Sequence, residues 1–88
     1  MRRSHEFLVR KVAQQYVMVP VGEAAEKFTG MITINATGKF LWDLLEQEQT
    51  VETLAQALAD TYQISKERAL QDVEVFLKPI RTAGAITE

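Results

Sequence analysis

Few residues in this chain have the types and spacing that chemistry requires. His5 is the single histidine and cysteine is absent, so a His-based metal site, thiolate ligation and a Cys- or Ser-centred triad all lack parts. Asp43 and Glu46 stand three residues apart, and Glu48 and Glu52 four apart. With no histidine beside them they read as solvated acids rather than an acid–base pair. Gly22, Gly30, Gly38 and Gly84 are scattered and form no phosphate-cradling loop. Thr37-Gly38 opens a helical segment, the form of an anion site, but one glycine there is better explained as an ordinary helix start. No catalytic residue, metal or cofactor is expected.

Two side chains suggest binding instead. Trp42, the lone tryptophan, falls to one side of the apolar stripe Phe40, Leu41, Leu44 and Leu45. It reads as a peripheral core residue sealing helix against sheet, or as the aromatic wall of a groove. Asp72 can pair with Arg68 one helical turn earlier, or meet a ligand's backbone or cation.

The elements that position these residues follow from hydrophobic period. Residues 7–13 and 16–21 are rich in β-branched side chains and read as two strands, joined by a tight turn at Gln14-Gln15. Pro20 cannot donate to a ladder and belongs at a strand end or an unpaired position. Residues 22–30 are polar between two glycines and read as a loop, with Phe28 as its anchor to the core. From Met31 to Asn35 the apolar residues alternate, Ile32 and Ile34 on one face and Met31 and Thr33 on the other. After Gly38 the period becomes helical.

Three helices are predicted. The first covers 37–47. The second starts from Thr50 as N-cap, with Glu52 in its first turn and a stripe of Val51, Leu54, Ala55, Leu58 and Tyr62. The third starts from Ser65 and runs to about Ala83, with a stripe of Ala69, Leu70, Val73, Phe76, Leu77 and Ile80. Pro79 should kink or shorten it, Gly84 should stop it, and Ile86 can fold back on the core. Strands first and helices afterwards give an α+β class, a small sheet against three helices in the outline of a winged helix-turn-helix.

Size and charge bound the function. Eighty-eight residues make one domain, 47% hydrophobic and 25% charged. No apolar run is long enough to span a membrane, and Arg10 and Lys11 interrupt any signal-peptide core. With no cysteine, a cytoplasmic setting is the default. The net charge of −2 is unevenly spread. Arg2, Arg3, Arg10 and Lys11 face only Glu6 near the N-terminus, in a segment expected to fray around His5. Asp43, Glu46, Glu48, Glu52 and Asp60 lie between residues 40 and 65 with no Lys or Arg. Lys66, Arg68, Lys78 and Arg81 of the last helix are diluted by Glu67, Asp72 and Glu74. A winged-helix DNA-binding regulator is therefore the alternative reading and not the favoured one, since phosphate binding needs clustered cations. A dimerisation module, in which exposed strands pair between protomers, is a third.

Gly30-x-Ile32-x-Ile34-Asn35-x-Thr37-Gly38-x-x-Leu41-Trp42-x-Leu44-Leu45, then Thr50-Val51-x-x-Leu54 and Asp72-Val73-x-x-Phe76-Leu77, together resemble the PqqD family. These are small proteins of quinone-cofactor biosynthesis and their relatives, the recognition elements of ribosomally made, modified peptides. The resemblance covers nearly the whole chain, about Phe7 to Ile86. It implies three strands and three helices without enzymatic activity. It also implies binding of a precursor's leader segment, presented to a modifying enzyme, often a radical SAM protein. In such relatives the leader adds as a strand to the third strand and lies against the third helix. Carried over, the site is Met31, Ile32, Thr33 and Ile34, facing Arg68, Asp72, Val75 and Phe76. Ile32 and Ile34 are expected to serve mainly the core and to bind through backbone groups.

Overall fold

The computed structural model describes residues 1–27 and 30–88. In chain order the elements are β1 (Arg2–Arg3), β2 (Phe7–Val12), β3 (Gln15–Pro20), α1 (Ala24–Lys27), β4 (Ile32–Ile34), α2 (Ala36–Leu44), α3 (Val51–Tyr62), α4 (Lys66–Thr82) and β5 (Ile86–Thr87). β2, β3 and β4 form an antiparallel sheet in that order, so β3 is central and β4 is an edge. α2 packs on β3 and β4, and α3 packs on α2 and α4. Phe7, Met18 and Ile34 from the sheet meet Leu41, Trp42, Leu54, Leu58, Val73, Phe76 and Leu77 in one buried core.

The β2–β3 turn lies one residue earlier than the sequence reading placed it. Val12 pairs with Gln15, so Ala13-Gln14 forms the turn, and Ala13 takes a positive φ of 57°, as the primed hairpin turns require at their first central residue. The reason is register. A one-residue slip would turn Tyr16 and Met18 away from the core that they fill. Pro20 ends β3, as a residue without an N–H must. The segment 22–30, read as a loop, contains the single turn α1, which buries Ala24. Phe28, the expected anchor, lies outside the described residues.

β4 passes into α2 with no linker. Asn35 is extended, and its Oδ1 accepts from the Gly38 N–H at 2.8 Å, which caps the helix. α2 spans Ala36–Leu44, starting one residue earlier than expected, and single turns carry the chain on to Gln47. α3 starts from Thr50 in a reciprocal cap with Thr53, and α4 starts from Ser65. Pro79 does not shorten α4, which continues to Thr82. The carbonyl that a proline leaves without its helical partner belongs to Val75. That residue is 73% exposed and can be hydrated. Gly84 ends the helix with φ +81°.

The N-terminal segment does not hang free, as a fraying arm would. β1 pairs with β5, Arg2 with Thr87 and Arg3 with Ile86. Arg3 also donates its backbone N–H to the Leu45 carbonyl at 2.9 Å. Its guanidinium lies 5.7 Å over the Trp42 ring and donates to the Trp42 carbonyl at 3.3 Å. The Met1 amine stands 2.7 Å from Glu48 and holds that carboxyl below its usual range. Trp42 is consequently 3% exposed, a core residue rather than a peripheral seal. Pairing between the two ends of the chain involves two-residue strands, too short to show a period.

Candidate functional site

Antiparallel geometry determines which groups of β4 are free. Val21 donates to the Glu6 carbonyl at 2.7 Å, in register with the β2–β3 ladder. Bonded pairs then recur every second residue, so Val17 and Val19 point their main chain at β2. Tyr16 and Met18 point theirs at β4, opposite Ile34 and Ile32. By the same alternation Thr33 turns its N–H and C=O outward, to the open side of the sheet. Among the described residues no other strand lies beside that edge.

The open edge borders a groove of about 390 Å³ between β4, the start of α2 and one face of α4. Ile32, Ile34, Val75, Phe76 and Pro79 supply its apolar wall. Arg68 and Asp72 stand at its margin as an i,i+4 ion pair, Nε to Oδ2 at 3.3 Å. Seven of the eight residues that the resemblance points to, Ile32, Thr33, Ile34, Arg68, Asp72, Val75 and Phe76, therefore line one cavity. Met31 does not line it; it precedes β4 and is 71% exposed. The division between the strand's two faces agrees with the alternation. Ile34 is 7% exposed and Ile32 packs against the core, while Thr33 is exposed.

Asn35, Thr37, Gly38 and Pro79 also line the groove and were not assigned to it from the sequence. The Asn-x-Thr-Gly spacing was the available signal. A cap residue directly after a strand edge must lie beside whatever that edge faces.

Chemistry is sparse here. No group of three or more metal-ligating side chains occurs among the described residues, and no described buried side-chain polar atom is left without a hydrogen bond. Two of the cations are already engaged. Arg3 is engaged with α2, 3.9 Å from both Asp43 and Glu46, and Lys66 is paired with Glu52. What the site offers is an open strand edge, with the Thr33 N–H and C=O turned outward, beside an apolar-walled groove.

The family model for coenzyme PQQ synthesis protein D, PqqD, matches residues 15–86. The chain belongs to the PqqD family. No curated protein matches it significantly. Among solved structures, TbiB1 in complex with the TbiA(beta) leader peptide is similar, with a TM-score of 0.73 at 18% identity. The match covers 97% of this chain and 93% of that one. At that identity the likeness shows a shared fold. The PqqD match includes β3, β4 and all three long helices, and so every element of the groove. It leaves out β1 and β2.

Proposed function

We propose that this PqqD-family chain is a non-catalytic binding protein for the leader segment of a ribosomally made precursor peptide. It takes the leader as a fourth strand along β4 and presents the precursor to a modifying enzyme. The enzyme class is assigned as radical SAM on the family resemblance alone. The observation that carries the reading is Thr33, whose backbone N–H and C=O face outward on an open edge beside an apolar-walled groove. Further support comes from the similar fold of TbiB1, a protein solved with a leader peptide.

A strand bonded to Thr33 alternates its side chains. Every second one enters the groove toward Phe76 and Val75, and those between face solvent. The leader is thus expected to carry apolar residues at i and i+2. A disordered leader loses freedom on binding, so an affinity of about micromolar or somewhat tighter is expected.

The test is titration of isotope-labelled protein with the leader of a precursor encoded beside this gene. The Thr33 amide should shift and become protected from exchange. Thr33→Pro, which removes the outward donor, should abolish binding in a folded protein. A folded Thr33→Pro variant that binds like the wild type would overturn strand addition.

A further inference from the structure

The sheet has a second open side. The alternation that turns Thr33 outward on β4 also turns the main chain of Val9 and Lys11 outward on β2, the opposite edge. Beside β2, toward α2, lies a second pocket of about 240 Å³. Its lining includes Arg3, His5, Leu8, Val9 and Lys39, with Asp43 as the one acid. Arg3 and Lys39 are both paired with Asp43, so the free positive charge along this edge is that of Arg10 and Lys11. Among the described residues neither makes an ion pair, and the Lys11 ammonium rests 6.0 Å over the Tyr16 ring. On the sheet face away from the helices, Leu8 is 45% exposed and Val12 57%. Val17 and Val19 are half-buried there and lie outside the core cluster.

These features discriminate between occupants. A second copy pairing β2 on β2 with Val9 bonded to the Lys11 of its mate would set Arg10 directly opposite Arg10. Like charges on adjacent strands oppose such pairing. An extended acidic segment meets the free backbone groups and the unpaired cations together. We propose that the outer edge of β2 docks an extended acidic segment of a partner protein, through strand pairing to Val9 and Lys11. The two edges of the sheet are about 10 Å apart, two strand spacings, so an occupant of β2 does not cover β4. The inference does not depend on which ligand β4 takes.

The test uses a defined probe, an acetylated and amidated peptide of alternating Glu and Val, with a Lys–Val peptide as its control. Added to isotope-labelled protein, the Glu–Val peptide should shift the Val9 and Lys11 amides saturably and leave Thr33 unmoved. Binding should weaken about tenfold in Arg10→Glu/Lys11→Glu, and fall as salt rises. It should persist in Thr33→Pro. The double variant should fold, because both side chains are exposed; should it not, Arg10→Gln/Lys11→Gln replaces it with a smaller expected loss. Three results would each overturn the proposal: no saturable shift on β2, equal binding of the Lys–Val peptide, or shifts confined to β4. A concentration-dependent dimer that protects the Val9 and Lys11 amides would also overturn it, by giving the edge to a second copy.

Discussion

A methyl group placed on Gly38 would lie 3.2 Å from Cδ1 of Phe76 and 3.2 Å from Cβ of Ile34. The absent side chain is what lets the Phe76 ring close against the start of α2 and form the wall of the groove. Phe76 can swing by a few tenths of an ångström, but Ile34 is held by its strand. Gly38→Ala should therefore lose about 1 kcal/mol net, overpacking outweighing the gain in helix propensity. The urea midpoint measures this. A more stable variant would show that the ring is not held by the glycine.

Proline substitutions along β4 should split by parity. Thr33→Pro removes an outward N–H and should leave the denaturation midpoint close to wild type. Ile32→Pro and Ile34→Pro each remove a ladder donor to β3 and should cost about 3 kcal/mol or unfold the protein. Circular dichroism melts of the three variants give the comparison. Equal damage at all three positions would contradict the register inferred for β4.

Val75 offers a way to test the groove without disturbing the core. It is 73% exposed and lines the cavity. Val75→Ala should change stability by less than about 0.5 kcal/mol while weakening leader binding several-fold, as read by fluorescence anisotropy. Phe76→Ala is a poorer probe, because truncating a 9% exposed ring should itself cost about 3 kcal/mol or more.

The Arg3 guanidinium on Trp42 makes the N-terminal strand part of the fold. Arg3→Ala removes a cation–π contact and a hydrogen bond to the Trp42 carbonyl. Because Arg3 is partly exposed, the expected loss is about 1 kcal/mol. Trp42 fluorescence should shift to the red and become easier to quench with acrylamide. Unchanged emission would mean that the indole is sealed without the arginine.

Two helix caps provide a matched pair. Asn35→Ala and Thr50→Ala should each cost about 1 kcal/mol. Asn35 lines the groove and Thr50 does not, so only the first should also weaken leader binding. Equal effects on binding would mean that the cap acts through global stability alone.

Much of this was legible in the residues themselves. The change of period at Asn35 separated strand from helix, and Thr50 and Ser65 marked two helix starts because their hydroxyls have one obvious use there. The stripe from Ala69 to Ile80 gave the buried face of α4. What stayed hidden was long-range or register-dependent. The β1–β5 pair spans the whole chain in strands too short to have a period. The turn at Ala13-Gln14 depends on which residues fill the core, and nothing local favours it over the next dipeptide. Trp42 looked peripheral on its own helix because the strand that covers it comes from the other end of the chain. The groove was reached through family resemblance; the backbone parity that singles out Thr33 required the ladder.

Asn35 ends the strand and caps the helix in consecutive bonds, and this makes the groove a preset shape. The cap fixes β4 against α2, and α4, the third side, is held by the buried Val73, Phe76 and Leu77, so the protein has little latitude to adapt. Ordering on association then falls almost wholly on the client. Affinity should accordingly track how readily a given peptide extends on its own, and stiffening the peptide should gain more than loosening its host.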